Sequence, residues 1–111
     1  MFPVIALDIE TTGLDPKKDA IIEVGAAKYD GHQIVDTFRS FINPSRPVPE
    51  MITQLTGITN EDVRKAPPIS AVIQDLAAFV GGLPIIGHNV AFDLAFLNEH
   101  TDLTSNPVMD T

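Results

Sequence analysis

No cysteine occurs among the 111 residues, so neither a disulfide framework nor a thiolate metal site is available. No run approaches the roughly 18 consecutive apolar residues of a membrane span. The N-terminus also lacks a basic stretch followed by a long apolar one. No membrane association is expected, and the cytoplasm is the default location. Positive charge is scarce: 7 Lys and Arg stand against 15 Asp and Glu, for a formal net charge of −8. That speaks against a protein holding nucleic acid by a broad basic patch, though not against an enzyme whose bound cations meet the phosphate. No serine sits in a glycine-flanked elbow, and no nucleophile–base pair is suggested. What is present is 44% hydrophobic content, enough for one domain with one packed core.

The stretch Asp8-Ile9-Glu10-Thr11-Thr12-Gly13-Leu14 follows an apolar run, Val4-Ile5-Ala6-Leu7, that reads as a buried strand. Alternate strand residues share a face, so Asp8 and Glu10 point the same way, roughly 6–7 Å apart. Ile5, Leu7 and Ile9 fill the other face. Two carboxylates projecting together repel unless a cation sits between them, and a hard divalent ion such as Mg²⁺ takes oxygen ligands. A solvated strand end that happens to be acidic would look the same.

Downstream, Ile21–Tyr29 and Ile34–Ile42 read as strands joined by a tight turn at Asp30-Gly31. Ile34, Phe38 and Ile42 are expected on one face. The first half is therefore an antiparallel meander of three strands. Pro49 can start a short helix, and Thr59 with Asp62 resembles a capping box with Asp in place of Glu. Ile69, Val72, Ile73, Leu76, Phe79 and Val80 recur at helical spacing, and Gly81-Gly82 closes that helix. Leu83–Gly87 reads as a short strand, Asn89 as the cap of another helix, and Val108-Met109 as the start of a fifth strand.

The last helix opens with His88-Asn89-Val90-Ala91-Phe92-Asp93. Asp93 stands alone among apolar neighbours, where a carboxylate either answers the helix dipole or serves a site. His88 reads equally as a loop histidine, and Phe92 with Phe96, four apart, reads as core.

Together the two stretches resemble the DEDDh-type 3′–5′ exonucleases, the family that includes the proofreading subunit of bacterial DNA polymerase III. Asp8-x-Glu10-Thr11-Thr12-Gly13-Leu14 matches its first motif and His88-Asn89-x-x-Phe92-Asp93-x-x-Phe96-Leu97 its second. Ile21-Ile22-Glu23-Val24-Gly25-Ala26, Asn43-Pro44 and Leu55-Thr56-Gly57-Ile58-Thr59 also fit, in order. The resemblance implies an α/β, ribonuclease H-like fold: a mixed five-stranded sheet with packed helices. It implies hydrolysis of a phosphodiester at the 3′ end of single-stranded DNA or RNA, with two ions of Mg²⁺ or Mn²⁺. Asp8, Glu10 and Asp93 would be the catalytic, metal-binding carboxylates. Thr11, Thr12, Gly13 and Leu14 would meet the terminal nucleotide, Gly57 and Ile58 would back its base, and His88, Asn89 and Phe92 would line the groove. A polymerase or a fused helicase domain is the implied partner.

The family's third motif, a histidine followed five residues later by an aspartate, is missing: His100 is followed at that distance by Ser105. Residues 1–111 therefore read as an incomplete exonuclease domain, inactive alone and open to self-association through uncovered apolar surface. A non-catalytic exonuclease-like module that binds nucleic acid or a subunit is the alternative. An aspartyl-phosphate phosphatase is a weaker one, since it needs aspartate where Glu10 stands.

Overall fold

Strand alternation in the first seven residues of β1 sets the architecture. The computed structural model describes residues 3–111. β1 (Val4–Thr11) buries Ile5, Leu7 and Ile9 while Asp8 is exposed and Glu10 half-buried. It pairs antiparallel with β2 (Ile21–Asp30), which pairs antiparallel with β3 (Gln33–Phe41). On the other side of β1, β4 (Ile85–Gly87) runs parallel to it, and β5 (Val108–Asp110) runs parallel to β4. The sheet is mixed and five-stranded, as the resemblance implies, and its strands lie in the order β3-β2-β1-β4-β5.

The helices are α1 (Glu50–Thr56), α2 (Asn60–Arg64), α3 (Ile69–Val80) and α4 (Val90–Leu97). α3 and α4 cover the face that carries Ile5, Leu7 and Ile9, through Val72, Leu76, Leu94 and Leu97 among others. Ile22, Val48, Ile58 and Val63 form a smaller cluster beneath α1 and α2. Ile22 reaches it because the β1–β2 register slips between Glu10 and Thr11, which pair with Glu23 and Ile21. The slip lets Ile21 enter the main core and Ile22 the lesser one. No helix is long and apolar enough to cross a membrane among the described residues.

Several local expectations hold. Thr59 accepts from Asp62 N–H and the Asp62 carboxylate accepts from Thr59 N–H, a complete capping box. Gly81, at φ +55°, closes α3. Others are corrected. Ile34 does not share a face with Phe38: the ladder slips between Lys28 and Tyr29, placing Ile34 opposite Tyr29, where it is 55% exposed. A bulge adds one residue and so inverts the alternation beyond it. The hairpin turn is Gly31-His32, since Asp30 already pairs with Gln33, and only Gly31 has positive φ. Pro49 caps α1 instead of beginning it.

Candidate active site

β4 pairs with β1 only at Ile5 and Ala6, which leaves the rest of that β1 edge open. The first turn of α4 fills the gap. Asp93 is 5% exposed, and its Oδ2 accepts from Ile9 N–H at 3.1 Å. A helical carboxylate thus completes the backbone bonding of the residue between Asp8 and Glu10. The approach is close because Gly87 has no side chain: a Cβ there would stand 2.8 Å from Leu7 O and 3.0 Å from Val90 Cγ2. Asn89 follows at φ 51° and makes no side-chain cap, contrary to expectation; its N–H donates to Asp110 Oδ1 at 2.8 Å. α4 is therefore seated by tertiary contacts, not by a local cap.

Negative charge accumulates here. Burial first, then the Asp8 carboxylate, pushes Asp93 up to about 7, with Glu10 adding in the same direction against the lowering bond from Ile9. Glu10 is also raised, by burial, by Asp8 and by Glu23. Like charges crowded at one place favour either a proton or a cation. Asp8 and Glu10 present hard oxygen donors of the kind that Mg²⁺ and Mn²⁺ take. Asp93 stands beside them. The donor chemistry fits such ions, although no three His, Asp or Glu side chains among the described residues are already gathered as a ligand set.

The remaining expected site residues divide. Leu14 projects, 83% exposed, and His88 and Asn89 are exposed at the head of α4. Thr11 Oγ1 donates to Gly13 O at 2.6 Å. Thr12 is 7% exposed, and its hydroxyl accepts from Ala20 N–H at 2.9 Å and lies 3.5 Å from Asp19 Oδ1. That side chain holds the β1–β2 loop closed. Gly13 belongs to the same closure, because a Cβ there would run into the Asp19 carboxylate. Gly57 ends α1 at φ 81°. Ile58 is 4% exposed and packs within the lesser core. Phe92 is half-buried with its ring 5.0 Å from that of Phe96.

The exonuclease family known as RNase T matches residues 5–109. This chain belongs to that family. The exonuclease domain is 40% identical over 113 residues to the PolC-type DNA polymerase III of Bacillus subtilis, a match covering 96% of this chain and 8% of that protein. It is 43% identical over 112 residues to the same kind of polymerase from Latilactobacillus sakei, with the same shares. The chain thus spans about 8% of the length of these relatives. E. coli exonuclease I in complex with a dA16 oligonucleotide superposes with a TM-score of 0.85 at 19% identity, covering 99% of this chain and 28% of that one. The superposition establishes the ribonuclease H-like fold.

Four further side chains shape this region without a role assigned from the sequence. Asp19 and Asp110 bond backbone N–H groups of the loops on either side. Glu23 and Arg39 form an ion pair of 2.6 Å. Glu23 lies in the quoted Ile21–Ala26 segment; Arg39 had no local signal, because its place depends on strand register.

Proposed function

We propose that this chain carries the metal-binding portion of a 3′–5′ exonuclease site acting on the end of single-stranded DNA. The observation that carries the reading is the bond from Ile9 N–H to Asp93 at 3.1 Å, which fixes a buried acid beside Asp8 and Glu10. Asp8 and Glu10 would hold divalent cations, with Asp93 supporting them; Mg²⁺ or Mn²⁺ suits their oxygens. Such ions, when bound, stabilise the attacking and leaving oxygens of a phosphodiester. Leu14, exposed at the mouth of the loop, would pack on the terminal nucleotide, and His88 and Phe92 would border the groove. The relatives' naming as DNA polymerases supports DNA over RNA and a replicative polymerase as the partner, acting in the cytoplasm.

In this reading the general base is not among these 111 residues, and its role is typically worth 10²–10⁴-fold. The isolated chain would bind metal and strand but hydrolyse poorly. The missing His-x-x-x-x-Asp pattern also supports a second reading, a non-catalytic binding module. One experiment separates them. A 3′-labelled single strand is incubated in Mg²⁺ and in Mn²⁺ with this chain and with a longer version that includes a His-x-x-x-x-Asp segment. Release of mononucleotides by the longer version alone, lost on Asp8→Asn, is expected. No release by either supports the binding module. Equal release by both shows that the added segment is dispensable.

A further inference from the structure

Glu23 lies directly opposite Glu10 in the β1–β2 ladder, a placement of like charges that ordinarily destabilises a sheet. Relief comes from the far side: Arg39 Nη2 is 2.6 Å from Glu23 Oε2. The guanidinium carbon also lies 4.8 Å from the Phe41 ring centroid. An ion pair and an aromatic face fix the group, while its side chain stays 65% exposed. N–H donors therefore remain for an incoming ligand.

Register puts Arg39 in the row of Asp8, for Asp8 pairs with Gly25 and Gly25 with Arg39. Residues so paired share a face, and adjacent strands are about 4.8 Å apart, so the two Cα atoms lie about 10 Å apart. Between them stands only Gly25, which has no side chain. An open hollow of about 470 Å³ runs over this floor, along Ala6, Asp8, Gly25, Ala27, Thr37 and Arg39. Among β1, β2 and β3 the only other Lys or Arg is Lys28, which lies over the Phe79 ring at 5.1 Å on the core side.

We propose that Arg39, held by Glu23, is a positioning residue that binds a backbone phosphate of the strand next to the one hydrolysed. The inference rests on the exonuclease reading above and names the part of this chain that grips its substrate. A planar guanidinium matches two phosphate oxygens at once. A contact to phosphate sets position without reading sequence, which suits an enzyme that accepts any strand end. The same acidic face would otherwise repel the strand.

The test is fluorescence anisotropy of a labelled oligothymidylate with a phosphorothioate 3′ end, titrated with the 111-residue chain in Mn²⁺ at several KCl concentrations. Arg39→Ala should weaken binding about tenfold and lower the slope of log Kd against log[salt] by about 0.7, the share of one phosphate contact on a single strand. Arg39→Lys should keep the slope while losing part of the affinity. Glu23→Gln should weaken binding with the slope unchanged. Arg39→Gln, which keeps the stem over Phe41, replaces Arg39→Ala if that variant does not fold, and must show both losses. A merely structural role would shift the melting temperature and leave the slope alone. Wild-type affinity and slope in the arginine variants, or no binding by the wild-type chain, overturns the proposal. Calorimetry of Mn²⁺ binding by Asp8→Asn keeps the two readings apart: undiminished binding sinks the carboxylate site itself, whereas arginine variants that match wild type while Asp8→Asn loses Mn²⁺ sink only the phosphate contact.

Discussion

Asp93 accepts a hydrogen bond from the backbone N–H of Ile9 across 84 residues of chain. The bond ties the helix after β4 to the strand that carries Asp8 and Glu10, and it buries an acid whose charge two neighbouring carboxylates oppose.

The first prediction concerns pH. Asp93 titrates at about 7 in the fold against 3.8 for an ordinary aspartate, so the folded chain holds this proton more tightly than the unfolded one. Its favourable contribution is complete below about pH 4 and disappears as pH rises to about 7; Glu10, also raised, acts in the same direction. The melting temperature, followed by circular dichroism, should fall over that window in metal-free buffer. Millimolar Mn²⁺ should flatten the curve. Asp93→Asn keeps an acceptor for Ile9 and should remove most of the slope, whereas Asp93→Leu leaves that N–H unpaired, at a cost of about 1–3 kcal/mol.

Asp8→Asn should raise the melting temperature of the metal-free chain at pH 7. Asp8 is exposed, accepts no hydrogen bond among the described residues, and is the charge that most raises both Asp93 and Glu10. Removing it relieves repulsion and should move the Asp93 transition to lower pH, measurable by carbonyl NMR. A clear drop in melting temperature would assign Asp8 a structural role instead.

Two glycines should respond oppositely to alanine. At Gly25 a Cβ meets only Asp8 O, at 3.9 Å, so Gly25→Ala should gain up to about 0.5–1 kcal/mol from reduced chain entropy. Gly87→Ala drives a methyl against Leu7 O at 2.8 Å. The backbone carbonyl cannot turn aside, and overpacking of this kind costs about 1–3 kcal/mol. Urea denaturation measures both, and equal midpoints would show that α4 can shift away from β1.

β3 and β5 are the edges of the sheet, and Ile34, Val35, Val108 and Met109 are each about half exposed on them. Long apolar edges pair with other chains. Sedimentation should show concentration-dependent self-association, reduced by Val35→Lys, which adds charge to the edge without touching the core. A monomer at all concentrations would overturn this expectation.

The sequence by itself determined what depends on near neighbours. Period-two alternation put Ile5, Leu7 and Ile9 on one face and Asp8 with Glu10 on the other. Helical spacing marked Val72, Ile73, Leu76 and Val80 as buried, and Thr59 with Asp62, three residues on, announced a capping box. Resemblance to a family supplied the mixed five-stranded sheet and the pairing of the two motifs, which no local pattern carries. Tertiary structure alone decided the rest. Ile34 left the core because a bulge opposite Lys28 and Tyr29 inverts alternation, and bulges follow from sheet twist and pairing instead of composition. Asn89 took a left-handed turn because Asp110 on a neighbouring strand bonds its N–H. Thr12 turned inward because the loop brought Ala20 and Asp19 to it. Arg39 came into line with Asp8 only through the register of three strands. Each of these outcomes joins residues far apart in the chain, and their energies exist only once the sheet has formed.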